Sequence, residues 1–244
     1  MTDALLESLH DRDRIESILR SDPYLHLYEI GDLDPFFWPR TVWYGLREGD
    51  ECRAVACLYL GATGPTLLAL GGDATRALLD RLAPVLPARF YGHLSPGLSD
   101  VLARSMPVEM QGRHDKMGLL EPERAAAVDA ASAEPLGPGD AAELGRFYEA
   151  SYPGNWFDPR MLETRAYVGV RDRGELAGAG GVHVLSEERR VAAIGNVATR
   201  PDRRGRGVSR VVVAGVLGRL AGRVDLVGLN VDAANRAAIR CYEG

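Results

Sequence analysis

The sequence predicts an α/β chain, an α+β mixed-sheet arrangement in which strands alternate with helices. Three observations carry that expectation. Residues 191–198 form an apolar run, and residues 208–220 repeat apolar side chains at three- and four-residue steps, with a short basic glycine loop between the two. Residues 226–231 form a second apolar run, followed by a helical pattern through Tyr242. Upstream of residue 119 the elements read as helices, three strands, helix, strand, helix, strand.

The 244 residues carry a formal net charge of −5, a length that suits one large or two small domains. No apolar run approaches the ~20 residues of a membrane span, and Met1-Thr2-Asp3 is acidic where a secretion signal would be basic. A cytoplasmic protein with no membrane partner is expected. The mild acidity argues against bulk binding to nucleic acid. Arginine supplies nearly all the positive charge, Lys116 being the lone lysine. Cys52, Cys57 and Cys241 are too few and too scattered for a disulfide framework or a zinc site, so no metal is expected. Cys241 beside Tyr242 reads as a small apolar filler before it reads as a nucleophile.

In chain order, residues 3–20 read as one amphipathic helix with Leu5, Leu6, Leu9, Ile15, Ile18 and Leu19 inward, stopped by Asp22-Pro23. Residues 24–33 suit a second short helix. The turn at 34–39 is dense in aromatics and serves either as a plug under a sheet or as a pocket wall. Residues 41–47 and 53–60 form a hairpin around Glu48-Gly49-Asp50, and 66–70 a further strand. A helix over 74–82 follows, capped by Asp73. Then come a strand at 89–92, a helix at 98–104 and a last strand at 108–118. Residues 119–132, rich in Glu, Ala and Pro, read as a linker in which 122–128 can wind into a short helix.

In the second half, 133–136 suits a first strand, and Gly139-Asp140 opens a helix through Leu144, Phe147 and Tyr148. Residues 151–159 form an irregular loop holding Tyr152, Trp156 and Phe157, with a short helix at 160–162. A hairpin joins 166–171 to 176–184, and 189–199 is the strand that feeds the basic loop. Gly178, Gly180 and Gly181 inside a strand suggest a bulge or a close backbone approach.

The stretch from Thr199 to Arg210 is the part around which the chain is organised. Strand, glycine-containing loop and helix in that order build an anion cradle: glycines let the backbone approach a ligand, and unpaired N–H groups at the helix start point at it. Arg203, Arg204, Arg206 and Arg210 add charge where the helix dipole already favours an anion. Taken alone, such a run is equally a solvated loop or a nucleic-acid patch. A dinucleotide-type G-x-G-x-x-G and a G-K-[ST] phosphate loop are both absent.

Arg204-Gly205-Arg206-Gly207-Val208-Ser209 resembles the Q/R-x-x-G-x-G/A loop of the GCN5-related N-acetyltransferase (GNAT) family, with Ser209 in place of the final small residue. Downstream, 226–231 followed by Asn235, Ala238 and Tyr242 resembles that family's later strand and N-x-x-A-x-x-x-Y helix. The resemblance covers about 133–244. It implies the acetyl-CoA N-acyltransferase fold there, with 1–118 as a degenerate second copy in which Leu70-Gly71-Gly72-Asp73 stands where the cofactor loop would be. The implied organisation is a GNAT-like domain at 1–118, a linker at 119–132 and a GNAT domain at 133–244.

The activity implied is transfer of an acetyl group from acetyl-CoA to an unidentified amine of a small molecule or peptide, by direct attack. The resemblance assigns the pyrophosphate to Arg204, Gly205, Arg206, Gly207, Val208 and Ser209. It assigns the pantetheine arm to the edge formed by Asn196, Val197, Ala198 and Thr199. Asn235 would hold the cofactor or the loop, and Tyr242 would be the acid that protonates the leaving thiolate. Tyr152, Trp156 and Phe157 serve as an acceptor pocket or as loop anchors. Glu149, Asp158, His183 and Glu187 are the candidates for a general base. The chain stops where the family continues into a further strand beside 226–231: either that segment was lost or removed, or another element fills its place, from the first half or from a second copy in a homodimer. The alternative to an enzyme is a catalytically silent acyl-CoA-binding or scaffold protein.

Overall fold

The computed structural model describes residues 4–61 and 64–243. The chain divides into two units, Met1–Gln111 and Gly112–Gly244. Among the described residues no helix is long and apolar enough to cross a membrane.

The first unit holds the strands β1 (Leu5–Leu9), β2 (Thr41–Glu48), β3 (Glu51–Gly61), β4 (Gly64–Ala69) and β5 (Tyr91–Leu94), in that order across one sheet. Neighbours are antiparallel except β4 and β5. Helices α1 (Arg12–Leu19), α2 (Leu27–Asp32), α3 (Asp73–Leu82) and α4 (Ser99–Leu102) complete it. Leu46 and Leu67 of the sheet bury with Leu78, Leu79 and Leu82 of α3 into one core.

The single helix expected over 3–20 is a strand followed by a helix; residue 3 lies outside the described residues. Leu5 to Leu9 pair with Arg47 to Trp43 of β2. The helix starts only after Asp11, whose carboxylate accepts hydrogen bonds from the backbone N–H groups of Asp13 and Arg14, both at 3.0 Å. Five residues are too few for periodicity to separate strand from helix turn, so tertiary pairing decides. The aromatic turn packs as a plug. Phe37 is buried, and Trp38 stacks on Trp43 with ring centroids 6.2 Å apart.

The second unit comprises β6 (His114–Gly118), α5 (Pro122–Ala126), β7 (Ala133–Leu136), α6 (Ala141–Ser151), β8 (Tyr167–Asp172), β9 (Glu175–Ser186), β10 (Val191–Thr199), α7 (Val208–Leu220), β11 (Leu226–Asp232) and α8 (Arg236–Glu243). Its sheet runs β6-β11-β10-β9-β8-β7, with β10 and β11 parallel and the rest antiparallel. Val168, Val182 and Ala192 bury against Val212 and Val216 of α7 on one face. On the other face Leu144, Phe147 and Tyr148 of α6 bury with Leu136 and Tyr167.

Two expectations about organisation change. The strand expected over 108–118 is confined to His114–Gly118 and joins the second sheet, where it pairs antiparallel with Gly228 to Asp232 of β11. It fills the place beside β11 that the resemblance leaves empty. The division therefore falls after Gln111, and the stretch 119–132, expected as a linker, lies inside the second unit and winds α5. The backbone N–H of Leu119 donates to the Val227 carbonyl at 2.8 Å, which extends the β6 pairing and holds this stretch on the sheet.

From β7 onward the second unit repeats the order of the first: strand, helical segments, three antiparallel strands, helix, parallel strand, helix. In the second, the glycines of β9 let α7 come close. A Cβ at Gly178 would meet Val208 Cγ1 at 2.5 Å and the Ala198 carbonyl oxygen at 3.2 Å, and one at Gly180 would meet Val212 Cγ1 at 2.9 Å. The helix start is thereby pressed against the end of β10. Gly178→Val is expected to lower stability by about 1–3 kcal/mol through overpacking. Urea unfolding would measure it, and an unchanged midpoint would show that the helix start has room to move.

Candidate active site

β10 and β11 lie side by side only from Val191 and Leu226 to Ile194 and Leu229. Beyond that pair they part, and β11 continues to Asp232 against β6 alone. The end of β10, Gly195 to Thr199, thus pairs with β9 on one side and leaves its other edge open within the fork.

A bulge creates the parting. β10 advances three residues from Gly195 to Ala198 while β9 advances two, from Gly181 to Ala179. Asn196 takes the extra position with φ of +53°, a left-handed conformation that asparagine tolerates better than most residues. Three contacts hold it. Tyr148 Oη of α6 donates to the Asn196 carbonyl at 2.7 Å, Asn196 Nδ2 donates to Tyr167 Oη at 3.1 Å, and Tyr167 Oη reaches the Val182 carbonyl at 3.3 Å. Burial pushes the hydroxyls of Tyr148 and Tyr167 well above the ordinary tyrosine range, so both stay protonated donors. The Asn196 side chain is spent on this lock and is buried; what β10 offers a ligand here is backbone.

The loop after β10 meets the helix start in the expected way. Gly205 and Gly207 have φ of +74° and +80°, a region that favours glycine, and nothing crowds the place of a side chain at either. Gly207 is the N-cap of α7 and no side chain caps the helix. Its carbonyl takes the N–H groups of Arg210 and Val211. The N–H groups of Val208 and Ser209 stand at the helix mouth, where the dipole is positive.

The arginines divide into two groups. Arg203 grips Asp172, with Nε at 2.7 Å, and Arg200 reaches Glu175 at 2.9 Å and Asp202 at 2.7 Å. These two are neutralised locally. The bond from Arg203, with the neighbouring charge, holds the Asp172 carboxyl below the usual range. Arg204 donates to the carbonyls of Thr199 at 3.3 Å and Ser151 at 3.2 Å, which pins the loop and keeps its charge. Arg206 is exposed, and Arg210 stands on the first turn of α7. The expectation that Arg203 serves an anion gives way to a role in fixing the loop.

α8 brings Tyr242 toward the same region. Cys241 Sγ lies 3.4 Å from Ser209 Oγ, so the end of α8 packs on the start of α7. Burial pushes the Tyr242 hydroxyl well above the ordinary tyrosine range, with Cys241 and Tyr152 adding to it. Asn235 caps α8: its Oδ1 accepts from the Ala238 N–H at 3.1 Å. The irregular loop places Phe157 between Tyr148 and Tyr167, at centroid distances of 5.2 and 5.7 Å, while Tyr152 is exposed.

The base candidates scatter. Glu149 is exposed, Asp158 accepts from the Arg160 N–H at 2.9 Å, and Glu187 pairs with Arg223 at 2.7 Å. His183 differs. It occupies a bulge of β9, and its imidazole crosses over Gly195, where any Cβ would overlap ring atoms Cδ2 and Nε2. It lies on the face away from α7, one residue before the Asn196 bulge. Asn230 of β11 lies one residue beyond the last β10–β11 pair, and its Oδ1 is buried with no hydrogen-bond partner. Asn230, Tyr148 and Tyr167 are site residues that the sequence reading missed. Tyr148 and Asn196 are 48 positions apart and no local pattern joins them. Among the described residues no group of three or more His, Cys, Asp or Glu could hold a metal ion.

Residues 137–243 match the model described as the acetyltransferase (GNAT) family. The fold recurs in solved structures at low identity. A Drosophila protein aligns at TM-score 0.69 and 15% identity, over 99% of this chain and 94% of its own. An "acetyltransferase from GNAT family" of Colwellia psychrerythraea aligns at TM-score 0.57 and 12% identity, over 98% and 94%. A "putative acetyltransferase from the GNAT family" of Novosphingobium aromaticivorans aligns at TM-score 0.52 and 22% identity, over 77% and 80%. No curated protein sequence matches the chain.

Tyr148→Phe removes the donor to the Asn196 carbonyl and leaves a buried acceptor unsatisfied, a loss expected to cost about 1–3 kcal/mol. Denaturant unfolding would measure it, together with faster amide exchange at Asn196 to Ala198. Full stability with unchanged exchange would mean that the bulge holds itself.

Proposed function

We propose that the chain, whose residues 137–243 match the acetyltransferase (GNAT) family model, moves an acetyl group from acetyl-CoA to an amine of a small molecule or peptide at the fork between β10 and β11. The observation that carries the reading is the fork itself, opening beside an uncapped helix start with glycines at positive φ. A diphosphate fits there: the N–H groups of Gly205 to Ser209 converge on it, and Arg204, Arg206 and Arg210 supply charge. The amide-bearing arm fits the open edge of Val197 to Thr199 as an added strand. Acetyl-CoA supplies an activated acyl carbon and a thiol leaving group.

The backbone beside the bulge, at Val197, is placed to polarise the thioester carbonyl. Tyr242 serves the sulfur. Its raised hydroxyl stays protonated at neutral pH, which suits a hydrogen-bond donor to developing thiolate charge better than an acid that has parted with its proton beforehand. Asn235 acts through the helix it caps. On the opposite face, His183, whose ring lies over Gly195, is the candidate to accept a proton from the incoming amine.

The first unit reads as a copy of the same fold without cofactor. β4 and β5 remain paired to their last residues, Ala69 and Leu94, so no fork opens. At the loop before α3 the Gly71 N–H already donates to Ser95 Oγ at 2.9 Å, and Asp73 puts a negative charge at the helix start. A catalytically silent acyl-CoA binder is the second reading, favoured by the lack of a carboxylate on β10.

Arg206→Glu is expected to weaken acetyl-CoA binding at least tenfold in calorimetric titration, and more so at low salt. Undiminished binding would remove the anion cradle. Tyr242→Phe is expected to lower kcat about 10²-fold while KM for acetyl-CoA moves little. An unchanged kcat would take the proton from another donor, and no turnover of any amine by the unmodified protein would favour the silent binder.

A further inference from the structure

The apex of the fork opens into a cavity. Ile194 and Leu229, the last paired residues of β10 and β11, form one wall together with Val213, Ala214 and Leu217 of α7. Tyr242 borders it as well. The far wall is the stretch after β6: Leu119, held on β11 by its backbone bond to Val227, then Ala125 and Val128 around α5. Arg210, Arg124, Glu121 and Glu243 stand among the lining as its charged members.

The volume is about 260 Å³. A single water needs only about 10–15 Å³ of such space, and an acetyl methyl is of similar size. The cavity is therefore an order of magnitude larger than an acetyl group requires. Its walls are mainly aliphatic, so water inside it finds few partners, and the space favours an apolar occupant. Its position selects the occupant. A thioester whose arm lies on the edge of Val197 to Thr199 and whose sulfur meets Tyr242 directs its acyl group at Ile194 and Leu229. A chain growing beyond two carbons enters the cavity without displacing the cofactor or the amine, which approaches from the His183 face.

We propose that this cavity is an acyl-chain pocket, through which the chain accepts medium-chain acyl-CoA thioesters as well as acetyl-CoA. The proposal rests on the reading of the fork as the thioester site. It needs no new chemistry. The amine nitrogen bonds to the acyl carbon, the carbon–sulfur bond breaks, and the thiol leaves with the proton that the amine gave up.

Calorimetric titration with CoA, acetyl-CoA and octanoyl-CoA tests it on the full chain. Octanoyl-CoA is expected to bind at least tenfold more tightly than acetyl-CoA, since each methylene removed from water favours binding about fourfold. Ala125→Trp, which fills the cavity from its half-exposed side, is expected to abolish that advantage and leave the affinity for acetyl-CoA within twofold. Val128→Trp fills the same space from the next turn and serves if the first variant unfolds below the wild-type temperature. Equal affinities of the wild type for the two thioesters would overturn the pocket, as would an octanoyl advantage that survives both tryptophans. If none of the three ligands binds, the thioester site itself is wrong and the pocket falls with it. That outcome is distinct from binding of all three without preference.

Discussion

The hydrogen bond from the Tyr148 hydroxyl to the carbonyl of Asn196 fixes the one irregularity on which the site depends. A parallel pair of strands left to itself stays paired, and a fully paired β10 would offer no edge to a ligand. The extra residue in β10 turns the strand away from β11, but a left-handed asparagine with a buried carbonyl is costly unless that carbonyl has a donor. The helix α6 supplies it, and Tyr167 holds the side chain from the neighbouring strand. The fork is thus held by side chains on the face opposite α7. A change on α6 reaches the open edge of β10 through one oxygen atom.

The basic loop shows a second division of labour. A cluster of arginines on an acidic chain suggests a field, yet two of the five in this stretch are matched by Asp172, Glu175 and Asp202. Such exposed pairs contribute little to stability one by one. Their effect is geometric: they fasten the loop to β8 and β9, while Arg204 fastens it to two carbonyls. The loop is therefore shaped before any anion arrives, and only part of its charge remains to attract one. Preorganised N–H groups and cations bind an anion better than a floppy run of arginines, because little ordering remains to be done on binding.

Much of this was legible in the residues. The strand, loop and helix from 191 to 220 stand where the periodicity and the glycines put them, and a helix follows β11 as the pattern predicts. The three glycines of β9 signalled a close approach, and α7 makes it at Gly178 and Gly180. What stayed hidden is non-local. Leu5 to Leu9 form a strand only because β2 lies alongside. His114 to Gly118 join the second sheet across more than a hundred residues of sequence. Asp11 was the local sign of a helix start that the longer apolar pattern obscured. Asn230 carries no motif, and only the structure shows its buried, unpartnered oxygen one residue beyond the last β10–β11 pair.

The same order of elements occurs in the first unit and, from β7 onward, in the second, yet only in the second do the parallel strands part before their ends. In the first unit β4 has no bulge before its end, so β5 stays with it through Ala69 and Leu94. With the strands joined there is no edge to offer an amide arm. A glycine loop at the following helix would then gain nothing from being open, and there Gly71 is satisfied by Ser95 and Asp73 occupies the first turn. Fork and cradle are coupled requirements: a diphosphate held without a slot for its arm, or a slot without a held diphosphate, binds weakly because each alone recovers only part of the entropy of fixing a long flexible ligand. One residue more or less in a strand is therefore enough to decide whether a parallel pair stays joined, as in the first unit, or parts, as in the second.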